Sequence, residues 1–381
     1  MPSISDFLHS AFNYFPPFSF IDRNQKIYGS REPKASDYTI VQGHNGRFTV
    51  TLDHSLLDNV LNELDGKLRM VEADERIVQK EESDILTMKD GEMNGEEVLQ
   101  GWLQNFHGGV ANRVLNSCIT FLRSVGNVGL ARRIALYHSN DNILGIYRWL
   151  RPGSVNRLTS EEIGVWVEAS KTLPELFRVS EREGHSLALQ ERNLPRPPNS
   201  PNFQRQPIPL TDTFPHKLTN AIGVEDMNFM KILPTGERGL TEAVVLGEVK
   251  LPSVVSEAAM KRLIDQLRRA TVVVNVTRCG DAEDTSRRVF ISGLAPKFTH
   301  VITQIFTGMA ANKCGLSLFT TNEISLIIEY RNGGLHVSLP VYHQRPNARS
   351  LEELLVALPL YSLSDHHDRT SYPQPQQRAN P

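Results

Sequence analysis

Gly223-Val224-Glu225-Asp226-Met227-Asn228-Phe229-Met230-Lys231-Ile232 leads into Leu233-Pro234-Thr235-Gly236-Glu237-Arg238-Gly239, and then, from Thr241, into Thr241-Glu242-Ala243-Val244-Val245-Leu246-Gly247-Glu248-Val249-Lys250. Two apolar runs of strand length flank a segment rich in Gly and Pro, which reads as two neighbouring strands joined by a loop. An acid, Asp226, opens the first run; a second acid and a lysine, Glu248 and Lys250, close the next. Residues two apart on a strand share a face, so Glu248 and Lys250 point the same way and Val249 points into the core. If the two runs are neighbouring strands, Asp226, Glu248 and Lys250 can converge on one point.

Those residue types suit one chemistry. Two carboxylates offer hard oxygen ligands of the kind Mg2+ takes. An ion held there polarises a phosphate. A lysine beside it places positive charge where negative charge grows in the transition state. Three acid-x-Lys triplets occur in the chain: Glu32-Pro33-Lys34, Asp65-Gly66-Lys67 and Glu248-Val249-Lys250. Pro33 suits a strand interior badly. Gly66 follows a helical pattern and reads as its stop. Only the third triplet closes a β-type run with an acid one strand upstream.

On these residues the stretch resembles the PD-(D/E)xK nuclease superfamily, whose signature is an acid on one strand and Glu/Asp-x-Lys on the next. The resemblance implies an α/β fold: a restriction-endonuclease-like mixed sheet flanked by helices, here preceded by a mainly helical N-terminal region. It further implies metal ligation by Asp226 and Glu248 and a catalytic role for Lys250.

The chain has 381 residues, 40% of them hydrophobic and 22% charged, which is enough for a packed core and for one large or two smaller domains. Its formal net charge of −2 gives no general attraction for nucleic acid, so charge that binds a phosphate backbone must be local. Three cysteines, Cys118, Cys279 and Cys314, have no metal-ligand spacing and read as reduced core thiols of the cytoplasm or nucleus. No basic start followed by a long apolar run marks a secretory leader, and no stretch is apolar enough to span a bilayer, so no membrane partner is expected.

Residues 1–192 read as mainly helical. Phe48, Val50 and Leu52 alternate with polar residues as a short strand, and a helical pattern starts at Asp53. Asn94 and Glu97 form a capping-box pattern ahead of a helix expected as far as Val125, with a weak point at Gly108-Gly109. Further helix is expected over 130–150 and 160–180. His107, His138 and His185 occur singly and read as structural or surface residues. The proline-dense segment 193–212 reads as an extended linker, or as an insertion within one domain. The nuclease-like domain is placed at 213–345, and 362–381, with His366-His367-Asp368, as a disordered polar tail.

After Lys250 the pattern predicts a helix over 255–270, capped by Ser253 or Ser256 and carrying a basic side of Lys261, Arg262, Arg268 and Arg269. A strand over 271–276, a short strand over 289–292, a helix over 299–312 and a strand over 315–321 follow. Asn332-Gly333 between two apolar runs is a hairpin signal. Gln304-Ile305-Phe306-Thr307-Gly308-Met309 and Gly315-Leu316-Ser317-Leu318-Phe319-Thr320-Thr321 resemble the glutamine-bearing helix and following strand of fungal members of the superfamily. The resemblance covers roughly 224–342 and implies that Gln304 orients the attacking water or touches a phosphate. It departs at Glu225-Asp226, where the family has Pro-Asp, and in the long span between Lys250 and Gln304, which leaves Gln266 as a rival. The family's first-helix acid stays open among Glu97, Glu161, Glu162 and Glu168.

Two functions follow from the resemblance. One is Mg2+-dependent hydrolysis of nucleic-acid phosphodiesters by an intracellular endonuclease-like enzyme. The other is a catalytically inactive interaction or regulatory protein of the same fold, of fungal effector or self/non-self type, with the N-terminal helical region binding a protein partner. No dinucleotide fingerprint, Walker A, HExxH or GxSxG sequence is present.

Overall fold

The computed structural model describes residues 4–11, 19–20, 41, 46–68, 92–93, 96–103, 107–112, 114–115, 146–150, 226–232, 241–279, 288–345, 348–362, 364, 367–368 and 371–373. In chain order the elements are α1 (Ile4–Ala11), β1 (Ser19–Phe20), β2 (Arg47–Leu52), α2 (Leu56–Leu68), β3 (Glu92–Met93), α3 (Glu96–Leu103), β4 (Ile146–Leu150), β5 (Met227–Ile232) and β6 (Thr241–Val249). They continue with α4 (Glu257–Arg269), β7 (Val272–Cys279), β8 (Arg288–Ser292), α5 (Pro296–Asn312), β9 (Leu316–Thr320), β10 (Ile324–Arg331), β11 (Gly334–Val337), β12 (Val341–Tyr342) and α6 (Leu351–Ser362).

Ten strands form one mixed sheet in the order β4-β5-β6-β9-β10-β11-β2-β7-β8, with β12 on β10. β6 runs parallel to β9 and β11 parallel to β2; the other described pairs in this sheet are antiparallel. The fold is therefore α/β with helices on both faces. α4 and α5 cover one face, packing Leu263, Ile264, Ile302, Ile305 and Phe306 onto Phe48, Leu246, Phe319 and Leu326. Phe48 and Phe306 stack with centroids 4.2 Å apart. α6 lies on the other face against β6, with α1 and α2 behind it.

All twelve residues of α6 are buried. Its middle, Leu354 to Leu360, is apolar all round and belongs inside a protein, and its two glutamates are buried with partners. Its start is a capping box: Ser350 N–H donates to Glu353 Oε2 (2.6 Å), and Glu353 N–H donates to Ser350 Oγ (3.1 Å). The buried Glu352 carboxylate is met by His107 Nδ1. Trp149 Nε1–H donates to the Leu355 carbonyl at 2.8 Å.

Several expectations change at this level. Residues 146–150 form strand β4 rather than the end of a helix, because pairing with β5 and burial of Trp149 override local pattern. Strands upstream and downstream of 193–212 belong to the same sheet, so the expected division between 1–192 and 213–345 does not divide the sheet. The segment 193–212 itself, residues 130–145 of the helix expected over 130–150, the helix expected over 160–180, His138 and His185 lie outside the described residues. The described part of the tail is packed rather than disordered. His367 is buried and its Nδ1 lies 2.9 Å from Glu329 Oε1, where the Tyr361 hydroxyl also donates (3.1 Å). A Cβ on Gly315 would stand 2.0 Å from the Ser371 carbonyl oxygen, so the tail crosses β9 too closely for any side chain there.

Other local signals hold. Ser256 caps α4 through the Ala259 N–H. Asn332 and Gly333 both take positive φ (51° and 79°), as a two-residue type I′ hairpin requires. β7 and β8 pair as a hairpin inside the long span between Lys250 and Gln304. Cys314 is buried, and its thiol donates to the Val244 and Leu316 carbonyls, each at 3.3 Å. No helix among the described residues is long and apolar enough to cross a membrane.

Candidate functional site

β5 and β6 approach with almost no room between them. A Cβ on Gly247 would lie 2.2 Å from the Met227 carbonyl oxygen, so glycine permits the contact. Asp226 N–H donates to the Gly247 carbonyl at 3.0 Å, and the Asp226 Oδ2 accepts from Val249 N–H at 2.7 Å. These two bonds fix the Asp226 carboxylate against the end of β6. Lys250 N–H donates to the Thr320 carbonyl at 3.0 Å, which ties the same end to β9.

Asp226, Glu248 and Lys250 meet as the spacing predicts. The Lys250 ammonium is ion-paired with Glu248 Oε1, lies 3.8 Å from Asp226 Oδ2, and donates to the Val249 carbonyl at 3.2 Å. Glu248 is 4% and Lys250 3% exposed, whereas the Asp226 side chain retains 17%. Two carboxylates and one ammonium leave the cluster with a net charge of −1. Charges this deeply buried require their partners, since removing one strands the others in a poorly solvating interior.

The register places the cluster on a definite face. Met227 pairs with Gly247, so Asp226 stands opposite Glu248, and Glu248 pairs with Phe319 on β9. Leu246 and Phe319 belong to the core under α4 and α5, and side chains alternate along the strand. The acids therefore look toward the α5 side. Gln304 is half-buried on α5, which crosses β6 and β9 over that face. Gln266 is placed elsewhere: its Nε2–H donates to the Gly293 carbonyl (2.8 Å) beside β8. Its helix rests on β2, four strand spacings or roughly 19 Å from β6. Among the open candidates for a first-helix acid, Glu97 lies on α3, which reaches β6; Glu161, Glu162 and Glu168 fall outside the described residues.

One residue in this row escaped the sequence reading. Asn228 is 5% exposed, pairs with Leu246, and shares the face of Asp226 two residues before it. A polar residue at both 226 and 228 on a core-facing period of two was the available signal. Among the described residues, no group of three or more His, Cys, Asp or Glu side chains is disposed to hold a metal ion.

The basic side of α4 borders a groove of about 440 Å3 lined by Lys261, Arg268, Tyr342 and Arg345, together with Glu257 and Asp265. Arg345 pairs with Glu257 and stacks on Tyr342 (3.7 Å to the ring centroid), and Arg268 pairs with Asp265 (3.5 Å). Acids answer much of the positive charge there.

From the end of β9 a chain of polar contacts runs inward. Thr320 Oγ1 accepts from Asn322 N–H (3.0 Å) and lies 2.9 Å from Ser325 Oγ; Ser325 Oγ lies 2.7 Å from His343 Nε2. His343 Nδ1 lies 2.8 Å from the Arg349 carbonyl, which accepts only, so that nitrogen carries the proton and Nε2 accepts from Ser325. Burial depresses the His343 pKa to about 4, opposed by the bond to Arg349, with the His107 charge lowering it further. The ring is a neutral joint, and its seat is fully enclosed. No protein-family model matches the chain, and comparison with curated proteins and with solved structures gives no significant match.

Proposed function

We propose that the chain is a Mg2+-dependent phosphodiesterase acting on nucleic acid, on a sheet of restriction-endonuclease-like design. The observation that carries this reading is the meeting of Asp226, Glu248 and Lys250 at the shared end of β5 and β6. The donor set fits the ion: two carboxylates from adjacent strands face one side, and hard oxygens are what Mg2+ takes. Asp226 and Glu248 would hold it, and a bound ion would supply Lewis acidity toward a phosphate oxygen.

The remaining chemistry belongs to the side chains. Val249 N–H orients the Asp226 carboxylate in advance, so little reorganisation accompanies binding. Lys250, released from part of its pairing, presents its ammonium to charge growing on the phosphate. Gln304, on the helix over this face, would orient the attacking water. A second reading, a non-catalytic interaction module, is favoured by one observation: Lys250 is almost wholly buried and already paired with both acids, a complete structural unit without any ion.

Calorimetric titration of the full chain with Mn2+ and Mg2+, alongside cleavage assays on plasmid DNA and RNA, separates the two. The enzyme reading expects saturable binding that falls at least about 10-fold in both Asp226→Asn and Glu248→Gln, with cleavage lost in each. A wild-type chain that binds neither ion and cuts neither polymer belongs to the module reading.

A further inference from the structure

We infer that Asn228 supplies a third, neutral oxygen donor to the cation held by Asp226 and Glu248; this rests on the metal-site reading above. Its Oδ1 is buried and has no hydrogen-bond partner in the structure. An orphaned buried oxygen is costly, on the order of 1–3 kcal/mol, and native interiors rarely keep one without a use. The use is indicated by position. Asn228 follows Asp226 by two residues on β5, and its cross-strand partner Leu246 precedes Glu248 by two on β6. Asn228 and Glu248 are thus diagonal neighbours on one face, about 7–8 Å apart at the backbone and within reach through their side chains. By strand alternation the three side chains rise from the same face of β5 and β6, the α5 side of the sheet.

The amide also suits the charge of the site. Two buried carboxylates face a single ammonium. A third carboxylate would add repulsion that the ion-free protein must bear, whereas an amide oxygen adds a hard donor without charge. Carbonyl and carboxylate oxygens together are a normal set for Mg2+ or Mn2+.

The test is Mn2+ titration of the full chain by calorimetry, in wild type, Asp226→Asn, Asn228→Leu and Asn228→Asp, with thermal melts in EDTA. Leucine keeps the shape of asparagine and removes its oxygen. Asn228→Leu is expected to weaken Mn2+ binding about 10-fold while melting in EDTA at or above the wild-type temperature. Asn228→Asp is expected to bind Mn2+ at least as tightly as wild type and to melt lower in EDTA. Wild-type affinity in both variants, with Asp226→Asn still disrupting binding, overturns the role of Asn228 and leaves the metal site standing. Should Asn228→Leu fail to fold, weaker Mn2+ binding by Asn228→Asp overturns it equally. No Mn2+ binding by the wild type overturns both.

Discussion

The observed pairing of Lys250 and the catalytic role proposed for it pull against each other. Its ammonium offsets one of the two carboxylate charges of Glu248 and Asp226 in a nearly closed interior, and the catalytic reading asks the same ammonium to face a phosphate. The two demands can be separated by Lys250→Met, which keeps the stem and removes the charge. Leaving paired carboxylates uncompensated in a buried site costs about 3–5 kcal/mol, so the ion-free variant is expected to unfold at clearly lower urea. The same surplus negative charge attracts a divalent cation, so its Mn2+ affinity is expected to rise while cleavage disappears. Denaturation in EDTA and calorimetry with Mn2+ measure the opposed effects. A variant as stable as wild type, with unchanged affinity, would show that Lys250 balances neither acid. This triad was legible because its spacing obeys strand geometry: alternation puts 248 and 250 together, and one turn brings 226 beside them. Asn228 was harder to see, since a single buried amide in an apolar run carries no motif.

His343 shows how elements are joined beneath the site. Its ring links Ser325 at the start of β10 to the Arg349 carbonyl just before α6, and Ser325 touches Thr320 at the end of β9. The folded-state pKa is about 4, below the ordinary 6.5 that the unfolded chain regains. Between those values the unfolded chain binds the extra proton, so stability falls as pH drops from about 6.5 to about 4 and levels off below. The span corresponds to about 3 kcal/mol at this group. Glutamine can accept from Ser325 and donate to Arg349, and it does not titrate. His343→Gln is therefore expected to lose about 2 kcal/mol less than wild type between pH 7 and 4.5 in urea unfolding. Equal losses would mean that other groups set the acid limit. Elements with their own local signals were legible: the Ser256 cap and amphipathic face of α4, and the Asn332-Gly333 turn. α6 was not, although Ser350 and Glu353 form its capping box, because a helix buried on all sides has no polar stripe to mark a period. β4 was misread for a related reason: its membership depends on β5, far along the chain.

At the scale of the molecule the question is whether 213–345 can stand alone, as the sequence pattern invited one to think. The sheet argues against it. β2 lies between β11 and β7, so without residues 47–52 the β7–β8 hairpin loses its strand neighbour in the sheet and β11 gains an open edge. α6 lies beyond the other boundary, and with it go Leu351, Leu354, Leu355, Leu358 and Leu360, all buried. Burial of a leucine contributes about 1.5–3 kcal/mol, so these five alone match the whole stability of a typical domain, roughly 5–15 kcal/mol. No part of this is readable locally, because parallel pairing of β2 with β11 and the seating of α6 are set by residues hundreds apart. A fragment spanning 213–345 is accordingly expected to lack a cooperative thermal transition and to show collapsed amide dispersion by NMR, and it should not bind Mn2+. The full chain should melt in a transition that includes β2, β6 and α6, with slow amide exchange in all three. A fragment that melts cooperatively and binds Mn2+ like the full chain would place the fold and the site within the shorter span. In that case β2 and α6 would be additions to a sheet already complete, and the enclosure of α6 would need another cause.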